Sequence, residues 1–285
     1  MSVRVFLPPV VKGYPRPNYH GFVERGFREL GARVIPSPHQ PVVSPVMAID
    51  IERGDRRMRA WWDWSDFARM NTTVGTPYFK IELREQTRTP GVYPTGQVVY
   101  QDLLNNLAAL REAAASREYG YDVFGIFRIT NYDDRRKLVE TIRAQPWKSY
   151  CGLASSTNRP PIPADLAIEK IPAEENYRLS GTAKICIAPP GCGEKTVRHM
   201  EVLALGSCLV MPETTCVWPA DYAGCLVTCK RDWSDLPDLI DNLLANDGER
   251  LAIARAGMDY WDKWLSPKAT ARIIYEATFN EEWRP

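Results

Sequence analysis

The stretch from residue 182 to residue 213 constrains the fold more than any other part of the chain. Its apolar run Ile185–Ala188 predicts a buried strand, and after a loop the apolar residues recur at helical spacing. Gly206 ends the predicted helix, and a second apolar run, Cys208–Met211, predicts the next buried strand. Strand, helix and strand in this order form the unit of parallel sheets, so the sequence predicts an α/β fold.

The loop inside this stretch has the composition of an anion-binding site. Gly191 and Gly193 give the backbone room to turn and to approach a ligand closely. Lys195 and Arg198 supply positive charge next to the start of the predicted helix. Backbone N–H groups and the dipole at a helix N-terminus also favour negative charge. The loop is therefore predicted to hold an anionic ligand.

The helix and the strand that follows it resemble a known family. Residues 201–210, Glu-Val-Leu-Ala-Leu-Gly-Ser-Cys-Leu-Val, are similar to the E-A-L-A-x-G-x-P-V-V signature in the C-terminal domain of group 1 glycosyltransferases of the GT-B fold. The resemblance implies that Glu201 binds the ribose hydroxyls of a nucleotide-sugar. It also implies that the turn of Gly191 and Gly193 faces the sugar and the diphosphate. Glu194 matches a second family glutamate, but with six residues between the two instead of seven. The alternative interpretation is a generic Rossmann-like helix with surface glutamates.

A strand and basic helix earlier in the chain carry a second resemblance. The predicted strand Tyr121–Arg128, the polar turn after it and a helix from about residue 134 to 143 resemble the V-G-R…K…L element that opens the C-terminal GT-B domain. In that family the arginine grips the donor diphosphate, which implies this role for Arg128, with Arg135 or Lys137 in the place of the lysine. The alternative is a basic helix start that faces solvent.

The resemblance implies two Rossmann-like domains in a GT-B-like arrangement. We expect an acceptor-side domain at residues 1–118, which is unusually short for this fold, and a nucleotide-sugar-binding domain at residues 119–285. The second domain includes a C-terminal helix that is expected to cross back to the first. A length of 285 residues is enough for two modest α/β domains.

Two residues of the first half are candidates for the catalytic base. His20 lies near a predicted helix start after the first strand, where inverting GT-B enzymes carry the histidine that serves as the catalytic base. The imidazole of a histidine also titrates near neutrality. Asp63 lies among Trp61, Trp62 and Trp64, which are able to desolvate its carboxylate and to offer an aromatic platform to a sugar. The alternatives are a packed or solvated histidine, and tryptophans that fill a core while Asp63 or Asp66 caps a helix.

The sequence also bears on metals. It contains no Asp-x-Asp triplet of the kind that holds a divalent ion in GT-A transferases, so we expect no metal and a metal-independent reaction with fixed cations at the diphosphate. All seven cysteines fall between Cys151 and Cys229. Most lie in apolar strand-like runs, where cysteine is a small core residue, and structural zinc on Cys225 and Cys229 is the alternative.

Composition narrows the range of partners. A formal net charge of +1 offers no electrostatic case for nucleic acid or for an anionic membrane surface. No apolar run approaches the roughly 20 residues that span a bilayer, and the N-terminus does not read as a signal peptide. The cytoplasm is the expected compartment.

Together these patterns predict a metal-independent glycosyltransferase that moves a sugar from a nucleotide-diphosphate donor to an acceptor hydroxyl. The nucleotide-sugar is a co-substrate, no cofactor is expected, and the acceptor is a saccharide, lipid or small molecule. Two alternatives remain open. One is a catalytically inactive nucleotide-sugar-binding or scaffolding protein of the same fold, and the other is a nucleotide-sugar epimerase or hydrolase.

Overall fold

A computed structural model describes residues 2–9, 19–38, 42–43, 45–71, 73–116, 118–129, 132–155 and 161–281, without the side chains of residues 42, 43, 132 and 133. The chain divides into two compact units. Unit 1 comprises Met1–Gln101, Thr215–Asp221 and Asp262–Pro285, and unit 2 comprises Asp102–Thr214 and Tyr222–Trp261. The domain boundary expected after residue 118 stays a prediction.

Unit 1 contains a sheet in which one strand runs against the others. Its described strands are β1 (Val3–Leu7), β2 (Arg33–Pro36), β3 (Val42–Val43), β4 (Val46–Arg53), β5 (Arg56–Asp63), β6 (Tyr78–Lys80) and β7 (Val92–Pro94). Their order is β2-β1-β4-β5-β6-β7, with β3 also paired to β4. Strand β4 is antiparallel to β1, β3 and β5, whereas the other pairs are parallel. A two-residue turn of Gly54 and Asp55, with Gly54 at φ +62°, joins β4 to β5.

Two helices cover this sheet in unit 1, α1 (Tyr19–Glu29) and α8 (Pro267–Phe279). They touch at Gly26, where an added Cβ would lie only 2.0 Å from the Pro267 carbonyl oxygen. The apolar residues Phe22, Val23 and Phe27 of α1 are buried, as their helical spacing predicts. A short 3₁₀ turn, Glu85–Thr87, and a π-helical segment, Trp261–Leu265, complete the regular structure near this unit.

Unit 2 is a parallel sheet with helical connections. Its strands are β8 (Tyr121–Arg128), β9 (Ser149–Ala154), β10 (Ala183–Ile187), β11 (Cys208–Pro212) and β12 (Val227–Cys229). Their order is β12-β11-β10-β8-β9, and every neighbouring pair is parallel. The helices are α2 (Gln101–Ala115), α3 (Tyr132–Arg143), α4 (Ala173–Thr182), α5 (Val197–Leu205), α6 (Leu236–Ala245) and α7 (Asp247–Tyr260). Side chains of α3, α6 and the strands share one apolar core, so burial of these faces stabilises the sheet.

The predicted α/β class is confirmed, because two parallel-dominated sheets are each packed with helices. The proline-rich residues before α4 predict an irregular connection over about residues 158–175, but α4 begins within that range, at Ala173. Glu174 and Glu175 lie in its first turn after the N-cap residue Pro172, and acidic residues in a first turn are a helix-start signal. Across the described residues, the helices are too short or too polar to cross a lipid bilayer.

Candidate functional site

The strand order of unit 2 creates a crevice at one edge of its sheet. The chain passes from β8 to β9 on one side and then crosses back to place β10 on the other side of β8. The connections that leave β8 and β10 at their carboxyl ends therefore diverge. In open α/β sheets, ligands bind outside the carboxyl ends of strands at such a switch point. The ends concerned are Arg128 of β8 and Ile187 of β10.

A buried guanidinium bridges these two strand ends. Arg135 of α3 donates hydrogen bonds to the backbone carbonyl of Arg128 and, over 2.6 Å, to the carbonyl of Pro190. The residue is 7% exposed. Burial lowers the pKa of Arg135 to about 10, and the nearby charge of Arg198 lowers it further, so the group still carries its proton at neutral pH. Both hydrogen bonds go to neutral carbonyls, and among the described side chains the charge of Asp134 acts on Arg135 only from outside these bonds.

The loop of residues 189–196 turns tightly against Arg135. The backbone N–H of Gly191 donates to the carbonyl of Gly193 over 2.8 Å. A Cβ added at Gly191 would lie 3.1 Å from Thr196 Cγ2 and 3.7 Å from Arg135 Nη2, so a larger residue would crowd the turn. Lys195 is buried, with 1% exposure, and adds a second cation to the loop. The predicted glycine-bearing loop thus lies beside two buried positive charges.

His199 caps the N-terminus of α5, a role that the sequence alone does not indicate. The backbone N–H of Thr196, which is the N-cap residue, donates to His199 Nδ1 over 3.0 Å. The imidazole is fully buried, and burial lowers the pKa of His199 to about 3, with Arg135 and Lys195 opposing its protonation as well. A neutral histidine therefore acts as an acceptor in a capping box, where glutamate or glutamine is usual.

Arg198 and Glu201 lie side by side on α5, as the predicted helix requires. The Arg198 guanidinium donates to Ser180 Oγ and to Asn176 Oδ1, each over 3.1 Å, and its Nε lies 3.8 Å from Glu201 Oε2. Burial raises the pKa of the Glu201 carboxyl, while the positive charges of Arg198 and Arg128 oppose that rise. Arg198 is thus anchored to α4, and Glu201 is a buried acceptor within the field of both arginines.

Glu194 ties the loop to the next two strand ends. Its carboxylate accepts from Thr214 Oγ1 over 2.7 Å, two residues after β11, and pairs with Arg231 over 2.7 Å, two residues after β12. Arg128 leaves its strand with an exposed side chain. The structure therefore collects the predicted donor residues at one carboxyl edge of unit 2. We call Arg128, Arg135 and residues 189–201 the switch-point site.

Asp63, one of the two predicted bases, already has an ion-pair partner in unit 1. The register of β5 and β6 places it directly opposite Lys80, whose Nζ donates to its carboxylate over 3.0 Å. The Tyr78 hydroxyl and the backbone N–H of Ser65 also donate to it. Asp63 and Lys80 are 1% and 0% exposed, so they form a buried ion pair. Burial, together with the hydrogen bond to Asp63, raises the pKa of Tyr78.

A second carboxylate of this edge is more open. Asp66 is partly buried and accepts from Gln97 Nε2 over 3.2 Å. Burial raises the pKa of its carboxyl, and the charge of Glu82 raises it further against the opposing influence of Lys80. The next residue, Phe67, is 67% exposed. Both aspartates are visible in the sequence, but only the fold shows that Asp63 pairs with a lysine whereas Asp66 pairs with a neutral amide. We call Asp63, Ser65, Asp66, Tyr78, Lys80, Glu82 and Gln97 the acidic edge.

His20 lies in the first turn of α1, after β1. Its Nδ1 is 3.6 Å from Glu24 Oε2, one helical turn away, and its neighbour Tyr19 stacks on Trp64 with ring centroids 5.5 Å apart. Because β1, β5, β6 and β7 run in the same direction, His20 follows a strand at the same edge of the sheet as Asp63. Its role as a base stays a prediction, as does that of Asp63.

The cysteines are free thiols throughout. Cys151, Cys186, Cys208 and Cys229 are buried in strands of unit 2, where burial raises the pKa of each thiol to about 12. Such thiols stay protonated and serve as packing residues. Cys192, in the switch-point loop, is exposed. Among the residues that the structure describes, no three His, Cys, Asp or Glu side chains are grouped as ligands of a metal ion.

Comparison with known proteins finds similarity only among solved structures. No family model matches the chain, and no curated protein matches it. A glycosyltransferase from Rickettsia africae is 12% identical over 94% of this chain and 75% of that chain, with a TM-score of 0.49. Sucrose-phosphate synthase from Thermosynechococcus elongatus is 13% identical over 66% of this chain and 52% of that one, with a TM-score of 0.47.

The N-terminal domain of trehalose-6-phosphate phosphatase from Candida albicans is 10% identical over 65% of this chain and 49% of that chain, with a TM-score of 0.44. The chain spans about half the length of this structure and of the synthase. Solved glycosyltransferases are thus among the structures that this chain is similar to. At these identities the likeness says nothing about which residues act.

Proposed function

We propose that this chain transfers a sugar from a nucleotide-diphosphate donor to an acceptor hydroxyl, with the donor held at the switch-point site. The observation that carries the proposal is the guanidinium of Arg135, which is buried between the ends of β8 and β10 and hydrogen-bonds to no carboxylate among the described residues. A diphosphate carries the opposite charge and suits a helix N-terminus with fixed cations beside it.

The residues of the site divide the work of binding and bond cleavage. Arg128 has an exposed side chain and is assigned to bind the diphosphate. Arg135 and Lys195 are buried and contribute positive electrostatic potential at the loop. The negative charge that develops on the leaving diphosphate is stabilised by cations that need no reorganisation. Glu201 accepts hydrogen bonds from the ribose hydroxyls. Gly191 and Gly193 let the donor approach the backbone.

The acceptor hydroxyl needs a proton acceptor, which we assign to the acidic edge or to His20. The acceptor hydroxyl oxygen attacks the anomeric carbon of the donor sugar. The bond between that carbon and the diphosphate oxygen breaks, and the hydroxyl proton passes to the base. His20 and Asp63 are the residues that the sequence predicts. We add Asp66, because its carboxylate is paired with the neutral Gln97 amide, whereas the carboxylate of Asp63 is paired with Lys80.

The experiment is a transfer assay with labelled nucleotide-sugars and a panel of saccharide, lipid-linked and small hydroxyl acceptors. Label that moves from one donor to an acceptor supports the proposal, and the Glu201→Ala protein serves as the matched control. Binding of the donor without any transfer would favour a catalytically inactive binding protein. An isomerised donor would favour an epimerase, and donor hydrolysis that continues unchanged when acceptors are present would favour a hydrolase. Donor hydrolysis in an assay without acceptor does not distinguish these cases, since transferases also hydrolyse donors slowly.

A further inference from the structure

A second cationic cavity lies at the other edge of the unit 2 sheet. It is lined by the first residues of β10 and β11, by the ends of α2 and α5, and by α7, and its volume is about 90 Å³. The switch-point site lies at the carboxyl ends of the same strands, about 15 Å away along a five-residue strand. We call this space the rear cavity. Neither the resemblance to glycosyltransferases nor the proposed function assigns it a role.

Positive charge dominates the walls of the rear cavity. Four of its lining residues are basic and none is acidic; the basic ones are Arg111, Lys184, Arg250 and Arg255. Such a lining is unusual in a chain whose formal net charge is only +1. A cavity bounded by charges of one sign concentrates the field, which favours an ion of the other sign.

Arg250 is the residue that points most strongly to a ligand. It is 1% exposed although it lies on α7, and its guanidinium packs 5.0 Å from the ring centroid of Tyr119. One nitrogen, Nη2, pairs with Asp247 over 2.5 Å, but Nε is buried and has no hydrogen-bond partner among the described residues. A buried donor without a partner is costly, so the fold maintains this arrangement against its own stability.

The carboxylates near the cavity offset only part of its charge. Lys184 pairs with Asp122 over 2.8 Å, and Arg250 pairs with Asp247, whose own side chain is 69% exposed. Arg111 donates to the carbonyl of Ala204 over 2.6 Å. Asp122 and Asp247 lie outside the lining, so a positive excess faces the space itself.

We propose that the rear cavity binds a small oxyanion, a phosphate group either free or at the end of a small metabolite. A cavity of about 90 Å³ has room for several water molecules and therefore for one tetrahedral anion of that size. Guanidinium groups donate in the fork geometry that phosphate oxygens accept. The occupant would contact Gly206, the C-cap of α5, and thus the end of the helix whose first turn belongs to the switch-point site.

The test is calorimetric titration with inorganic phosphate at constant ionic strength. Because the switch-point site is also cationic, the titrations use protein that carries Arg128→Gln, which weakens that site. We expect saturable binding in this background. Adding Arg255→Gln or Lys184→Gln should weaken it about fivefold or more, the loss expected for one charge-assisted hydrogen bond. Arg136→Gln, an exposed arginine of α3 remote from the cavity lining, is the matched control and should leave the affinity within about twofold.

A site-specific readout separates the two edges of the sheet. In protein labelled with nitrogen-15, phosphate should shift the amide signals of Gly206 and Ser207 with the same saturation curve as the calorimetry. Sugar phosphates are titrated in parallel, and tighter binding than inorganic phosphate identifies a metabolite as the source. No saturable phosphate binding, or unchanged affinity in both the Arg255→Gln and Lys184→Gln proteins, overturns the proposal. These outcomes leave the proposed sugar transfer untouched.

Discussion

The two units place polar residues at the same position in their sheets, at the carboxyl ends of parallel strands, yet the charges have opposite signs. In unit 2 the switch-point site contains Arg128, Arg135 and Lys195 around a glycine-bearing loop. In unit 1 the acidic edge contains Asp66 and Glu82, with the exposed ring of Phe67 beside them. One edge suits a diphosphate, and the other suits hydroxyl groups and the apolar face of a sugar.

The difference lies in how each buried charge is paired. Lys80 donates to the carboxylate of Asp63, so the two charges cancel and leave little field outside. Arg135 donates from Nη1 and Nη2 to the carbonyls of Arg128 and Pro190, which are neutral and leave it charged, while its buried Nε has no hydrogen-bond partner among the described residues. A buried ion pair is therefore a structural element here, whereas a carbonyl-bound arginine is an electrostatic one. The predictions below test that distinction, from the largest expected effect to the smallest.

Loss of the catalytic base should have the largest effect. We expect one of His20→Ala, Asp63→Asn and Asp66→Asn to lower turnover by about 10²–10⁴-fold while nucleoside diphosphate affinity stays near wild type. Steady-state transfer rates and calorimetry measure the two quantities. Asp63→Asn also deprives Lys80 of its partner, so its unfolding free energy must be measured alongside. If all three proteins keep near-full turnover, a base from unit 1 is ruled out, and a retaining mechanism in which the leaving diphosphate takes the proton is preferred.

Breaking the buried ion pair should damage the fold of unit 1 and spare the donor site. Lys80→Met leaves the buried Asp63 carboxylate uncompensated, which we expect to cost about 3–5 kcal/mol in the free energy of unfolding. Urea denaturation measures this loss. The double variant Lys80→Met with Asp63→Asn should recover part of it, because no charge then remains unpaired. A Lys80→Met protein of wild-type stability would show that the pair is not structural.

These two predictions depend on contacts that the sequence did not reveal. The strand Tyr121–Arg128 and the helix that Gly206 ends were predictable, since local apolar spacing and stop signals set them. The pairing of Asp63 with Lys80 depends on the register between β5 and β6, which a 14-residue connection separates in the chain. Local patterns carry no information about such a register. The tryptophans around Asp63 indicated a desolvated carboxylate, but its pairing with Lys80 could not be inferred from them.

The switch-point site was more accessible to sequence reasoning because most of it is local. Gly191, Lys195 and Glu201 lie within one loop and one helix, so their proximity follows from the chain itself. Arg135 belongs to another helix, and its bridge between two strand ends requires the crossover that sets the strand order. The sequence offered Arg135 and Lys137 as equals, and only tertiary structure distinguishes them. The acceptor role of His199 was hidden because glutamate or glutamine, not histidine, is the usual residue at this position of a capping box.

Removal of the Glu201 carboxylate should weaken binding of the donor without affecting unit 1. Glu201→Ala is expected to reduce nucleoside diphosphate affinity by about 1–3 kcal/mol, the cost of leaving polar groups unpaired in a closed site. Calorimetric titration checks this value, and Glu24→Ala, a partly exposed glutamate of α1, is the matched control. An unchanged dissociation constant in the Glu201→Ala protein would remove the main support for the donor assignment.

The buried His199 predicts a specific dependence of stability on pH. Its pKa is about 3 in the folded protein and about 6.5 in the unfolded chain, so the unfolded state binds the extra proton between these values. Stability is therefore lost as pH falls below about 6.5, and at pH 5 this histidine should cost about 2 kcal/mol relative to pH 7. Urea denaturation of wild type and His199→Gln at both pH values measures the difference. An equal slope in wild type and His199→Gln would contradict the assignment.

Chelation should have the smallest effect, because the cations of the switch-point site are covalent parts of the chain. We propose that Arg128, Arg135 and Lys195 take the place of the divalent ion that an Asp-x-Asp triplet holds in other enzymes, since this sequence lacks the triplet. We expect the transfer rate in excess chelator to stay within a factor of about two, far short of the loss that follows removal of a catalytic Lewis acid. Arg135→Gln supplies the converse measurement, since the fixed charge then disappears while the metal concentration is held constant. Full inhibition by chelator that magnesium or manganese reverses would show that the carbonyl-bound arginine is not sufficient.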